Sequence, residues 1–115
     1  MSATMSAVTL DCADAFKLAS FWADVLGRDV DEGATEEFAM IGSDEGPGLT
    51  FIQVPEAKAV KNRVHIDLTV DDLAAEVERV VGLGARSLAD REEGGIRWTT
   101  LTDPEGNEFC LVAGS

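Results

Sequence analysis

The stretch RVHIDLTVDDLAAEVERVVGLG, residues 63–84, decides how this chain folds. Its first eight residues alternate apolar and polar, the mark of a strand with one face buried. After Asp71 and Asp72 the period changes. Leu73, Val77, Val80 and Val81 then recur at helical spacing. Either aspartate can cap the helix start, and Gly84 can end it. Downstream, ARSLAD (85–90), IRWTTLT (96–102) and NEFCLV (107–112) read as strands. Gly94 and Gly95 part the first two, and DPEGN parts the last two.

Upstream, the same order is written once before. MSAVTLDC (5–12) reads as a strand, followed by DAFKLASFWADVLG with Leu18, Phe21, Trp22, Val25 and Leu26 on one helical face. Asp14 and Gly27 stand at the cap positions. RDVDE (28–32), EEFAMI (36–41) and LTFIQV (49–54) follow as strand candidates. Gly27 and Gly84 lie 57 positions apart, so the chain repeats strand–helix–three strands with that period. This predicts an α+β fold of two βαβββ modules forming a cupped, mostly antiparallel sheet. One module covers about 1–57 and the other about 61–115, within a single domain. A ligand cleft is expected between the paired modules.

Bulk properties narrow the function classes. Net charge is −13, from 22 acidic and 9 basic residues. Such a surface repels phosphate backbones and anionic lipid, which argues against nucleic-acid and membrane partners. Cys12 and Cys110 form no CxxC pair and are expected to be reduced thiols. The N-terminal MSATMSAVTL has neither a basic segment nor a long apolar run, so a cytoplasmic location is expected.

HIDLTVDDLAAEV running to GLGA, WTTLTDPEGNEFCLV and the upstream FWADVLG together resemble the vicinal oxygen chelate superfamily. That group includes glyoxalases, bleomycin-resistance proteins and extradiol dioxygenases, and the nearest likeness is to its short glyoxalase-like domain branch. The resemblance implies the glyoxalase/bleomycin resistance/dihydroxybiphenyl dioxygenase fold, a small-molecule ligand and a homodimer. It also implies a divalent metal in the metal-dependent members (Zn, Ni, Mn or Fe), held by the first and last strands of each module. On that pattern His65 and Glu108 are the metal-ligating and catalytic candidates. The first module offers Ala7, Val8 or Thr9 on its first strand and Thr50 on its last, none of them a good ligand. Gln53 and Asp11 enter only in a different register.

The residues add their own reading. Asp67 shares a strand face with His65, and Cys110 and Val112 share one with Glu108. Asp67 is thus a candidate to orient the imidazole or meet a ligand hydroxyl. Trp98 could floor a pocket and stack on a flat ligand, whereas Trp22 belongs to the core. Asp67, Trp98, Thr50 and Gln53 make up the candidate ligand-binding set. Lys58, Lys61 and Arg63 form a basic cluster that either attracts an anion or is a solvated linker. The expected function is small-molecule binding without an obligate metal; the alternative is a metal-dependent lyase, isomerase or dioxygenase using His65 and Glu108.

Overall fold

The computed structural model describes residues 2–114. The chain divides into two compact units, with the boundary between Ala57 and Lys58. Each is a sheet with a helix on one face. No helix among the described residues is long and apolar enough to cross a membrane.

The first unit holds β1 (Ala7–Cys12), α1 (Ala15–Leu26), β2 (Phe38–Ile41) and β3 (Gly48–Gln53), with strand order β1-β3-β2. β3 runs parallel to β1 and antiparallel to β2. Helix α1 starts where Asp14 accepts the Lys17 N–H at 3.0 Å. It stops at Gly27, whose φ of 66° only glycine adopts cheaply. Leu18, Phe21 and Trp22 of α1 are buried, as are Ile41, Leu49 and Phe51 of the sheet. Phe21 and Trp22 meet edge to face at 5.6 Å. Trp22 is therefore a core residue, as its helical position predicts.

The strand expected over 28–32 does not form. One backbone bond, Asp31 N–H to Met40 O at 2.8 Å, ties this segment to β2. The Asp31 carboxylate also accepts the Gly42 N–H at 3.2 Å. Aspartate satisfies nearby backbone donors with its own side chain, so an acidic run closes a loop here rather than continuing a ladder.

The second unit holds β4 (Ile66–Val70), α2 (Leu73–Leu83), β5 (Arg86–Glu93), β6 (Ile96–Thr102) and β7 (Glu108–Ala113). Strand order is β4-β7-β6-β5, with β4 parallel to β7 and the other pairs antiparallel. This unit is the complete βαβββ pattern. Asp72, rather than Asp71, caps α2 by accepting the Ala75 N–H at 3.1 Å. Leu73 and Val80 are buried, Val77 is half-buried and Val81 is exposed. The packed stripe is therefore narrower than the sequence suggests. α2 packs against β5, β6 and β7, where Leu101, Phe109 and Leu111 are buried.

Two turns set the strand geometry. Gly94 and Gly95, at φ 59° and 81°, make the two-residue hairpin that joins β5 to β6. Between β6 and β7, buried Asp103 organises the DPEGN turn. Its Oδ1 accepts the N–H groups of Glu105 and Asn107 at 2.9 and 3.0 Å, and its Oδ2 accepts Asn107 Nδ2–H at 3.0 Å. Its carbonyl accepts the Gly106 N–H at 2.9 Å, with Pro104 at the second turn position. Gly106 has φ 89° and releases the chain into β7 at Glu108.

Candidate small-molecule site on the second sheet

Alternation along the strands sorts the side chains of the second sheet onto two faces. Phe109 and Leu111 of β7 and Leu101 of β6 are buried on the side of α2. Their neighbours point the other way: Asp67 from β4, Cys110 and Val112 from β7, and Trp98 and Thr100 from β6. Together with His65 and Glu108 they line a concave cavity of about 660 Å³. Its far wall comes from β5, where a register shift between Ser87 and Ala89 lets Leu88 and Ala89 both reach it. Ile96 and half-buried Trp98 supply apolar and aromatic surface on β6. His65, Asp67, Trp98 and Glu108, singled out in the sequence, thus meet around one hollow.

The polar wall is compact. His65 Nδ1 lies 2.9 Å from Asp67 Oδ1, with both side chains about half exposed. Asp67 stands opposite Cys110 in the parallel β4–β7 register. A nitrogen of His65, an oxygen of Asp67 and Cys110 Sγ all fall within 4.8 Å of one another. The thiol is buried and lies 3.5 Å from Thr100 Oγ1. The closeness of Cys110 to the His65–Asp67 pair follows from register, which the sequence leaves open by one or two residues.

Glu108 is committed to a nearby segment. Its Oε1 accepts the Asn62 N–H at 2.9 Å and pairs with Lys58 Nζ at 3.2 Å, while its carbonyl accepts Asn62 Nδ2–H at 2.8 Å. Lys58 also donates to the Val60 carbonyl. The Asn62 backbone hydrogen bond chiefly holds the Glu108 carboxyl below its ordinary pKa, and Lys58 adds to this; partial burial opposes both. Lys58 stands out in the sequence only as part of a basic cluster; its pairing with Glu108, and the role of Asn62, escape a sequence reading because their segment has no periodicity that would place them.

Among its described residues the first unit carries no equivalent set. Ala7 pairs with Gly48 and Thr9 with Thr50. In the second unit Asp67 pairs with Cys110; β4 begins at Ile66 rather than at Arg63, and extending its register one step back sets His65 against Glu108. Counted back from the Asp14 and Asp72 helix caps, Ala7 matches His65 and Thr9 matches Asp67. Gly48 is therefore the counterpart of Glu108, and Thr50 the counterpart of Cys110. This moves Thr50 one pair along from the position expected of it. Gln53, at the end of β3, donates its Nε2–H to the Ala13 carbonyl at 2.9 Å and braces the turn into α1. Thr50 and Gln53 thus have local places in the first unit.

A family model described as a glyoxalase-like domain matches residues 7–112. The chain belongs to the glyoxalase-like domain family. Solved structures agree on the fold. A glyoxalase/bleomycin resistance protein/dioxygenase family enzyme from Burkholderia phytofirmans PsJN superposes with TM-score 0.81 at 20% identity, covering 96% of this chain and 98% of that one. Fosfomycin resistance protein FosX from Mesorhizobium loti gives 0.76 at 20% identity, covering 100% and 95%. A bleomycin-binding protein from Streptomyces verticillus, solved with copper(II)-bleomycin, gives 0.67 at 24% identity and full coverage of both chains. None of the curated proteins matches the chain in sequence. At these identities the structural likeness speaks to fold alone, as the spread of functions among these neighbours illustrates.

Glu108, the acid suggested by family position, already faces an ammonium and a backbone donor. His65, Asp67 and Cys110 instead group an imidazole, a carboxylate and a thiol, a donor set suited to zinc-like ions. The fit is better through Asp67 and Cys110 than through Glu108.

Proposed function

We propose that this chain is a small-molecule binding member of the glyoxalase-like family and that its ligand sits on the open face of the second sheet. The observation that carries the reading is the placement of Trp98, Ile96 and Leu88 across a 660 Å³ hollow from the His65–Asp67 pair. Ligand sites characteristically combine such an apolar wall with a few convergent polar groups. Binding in this reading needs no metal, since the indole, imidazole and carboxylate can stack on or hydrogen-bond a ligand directly. A fragment screen read by amide chemical shifts tests it. Hits should perturb Asp67, Trp98 and Cys110 together; hits scattered over other surfaces would refute the assignment.

A second reading is favoured by the His65, Asp67 and Cys110 grouping. In it these three side chains hold a divalent ion, which would act as a Lewis acid toward a ligand oxygen. Glu108, tied to Asn62 and Lys58, then positions the segment beside the site rather than ligating. Zinc added to purified protein should raise the melting temperature by mass action, and His65→Ala should abolish that rise. No stabilisation by Zn, Ni, Mn or Fe(II) would sink this second reading and leave the first standing.

A further inference from the structure

The charges around the cavity depart from those of the whole chain. Acidic residues outnumber basic ones by 22 to 9, yet Lys61 and Arg91 both line the hollow. What matters is which charges already have partners. Glu108 is answered by Lys58 at 3.2 Å and by the Asn62 N–H, and Asp67 by His65 at 2.9 Å. Lys61 and Arg91 have no ion pair or side-chain hydrogen bond among the described residues. The Glu108 charge is matched by Lys58 and Asp67 has a polar neighbour in His65, whereas these two cations have no such partner.

Arg91 is also well placed. It is the direct cross-strand partner of Trp98 in the antiparallel β5–β6 ladder. Such partners share a face and stand about 5 Å apart at Cβ. A flat ring lying against the Trp98 indole would therefore bring a substituent at its edge to the Arg91 guanidinium. Guanidinium offers a planar fork of donors that matches carboxylate, sulfonate and phosphonate oxygens. Exposed Ile96 and Leu88 supply apolar surface in the same hollow.

We propose that the cavity selects a planar, apolar-bodied anion, with the ring against Trp98 and the anionic group at Arg91, while Lys61 elsewhere on the lining adds to the local positive field. This rests on the small-molecule reading above and names the ligand class for that site. Because the net field of the protein is negative, the selectivity must be local, and salt should screen it.

Two dyes with a common aromatic body separate the possibilities. Anilinonaphthalene sulfonate carries an anionic group, and N-phenylnaphthylamine lacks it. In fluorescence titrations at low ionic strength the sulfonate should bind roughly fivefold more tightly, the advantage expected of one partly exposed charge contact in a locally positive field. Added salt should shrink that ratio. In the Lys61→Gln/Arg91→Gln double variant it should fall to about one. Both side chains are exposed, and an unchanged melting temperature would show that the variant is folded. Equal affinities in the native protein, or a ratio that survives the double substitution, would overturn the anion assignment while leaving the cavity intact. Failure of both dyes to bind would overturn the cavity reading and this assignment with it.

Discussion

Replacing Glu108 with Gln isolates the charge that ties residues 58–62 to the mouth of β7. The substitution keeps the shape and one acceptor oxygen, so the Asn62 N–H bond can persist in neutral form. A hydrogen bond to a charged acceptor contributes about 1 kcal/mol more than a neutral one. The Lys58 pair at 3.2 Å, with side chains 27% and 16% exposed, adds a further amount of about 0.5 kcal/mol. The expected loss at neutral pH is thus about 1.5 kcal/mol, or a melting temperature lower by roughly 6 °C for a chain of this length. Calorimetric melts of both proteins across pH provide the assay. The fold lowers the Glu108 pKa, so its contribution is complete above the ordinary value of 4.5 and is lost as pH falls through the folded value. The gap between native protein and variant should be full at neutral pH and close as the medium becomes acidic. Every other carboxylate titrates in both proteins, so the difference reports Glu108. A gap that stays constant into acid would show that packing rather than charge carries the effect. No gap at neutral pH would show that the tether contributes nothing.

Asp103→Ala leaves the Glu105 and Asn107 donors unanswered in the DPEGN turn and should cost about 2 to 3 kcal/mol, measurable by urea unfolding. Trp98→Ala removes the aromatic surface of the cavity and should weaken both naphthalene dyes by about tenfold with little change in their ratio, read by the same titrations. Cobalt(II) added to the protein should give a thiolate charge-transfer band if Cys110 ligates, and Cys110→Ser should remove it; a band that persists in the variant would place the metal elsewhere.

The duplicated order of elements was legible because the caps are local signals. Asp14, Gly27, Asp72 and Gly84 each act where the sequence places them. The exception, RDVDE, shows the limit of reading by position in the repeat: its place between a helix and a glycine suggested a strand, but Asp31 uses its carboxylate on the Gly42 N–H. At the site, period-two alternation correctly placed Asp67 with His65, and Cys110 with Glu108. Which groups partner Glu108 was not legible, although Lys58 stood out as part of a basic cluster. Asn62 lies 46 positions away in an aperiodic segment, and no spacing rule connects them. The Asp67–Cys110 contact likewise depends on β4–β7 register, which long-range pairing fixes and local sequence does not.

The two copies differ where difference costs the core least. Their helix-facing positions stay apolar, as with Leu49 and Phe51 in one and Phe109 and Leu111 in the other. On the opposite faces Ala7 and Thr9 occupy the positions that His65 and Asp67 hold in the second copy, and Gly48 and Thr50 those of Glu108 and Cys110. The contrast at Gly48 is physical as well as chemical. A Cβ built there would come within 2.8 Å of the Ile41 carbonyl oxygen, so a side chain at that point requires the backbone to shift. β3 approaches β2 closely enough to close its ladder, and the carboxylate that anchors a neighbouring segment in the second copy has no room in the first. Duplication supplies two similar sheets; the local approach of β2 and β3 then confines the acid, and the basic segment it holds, to the second.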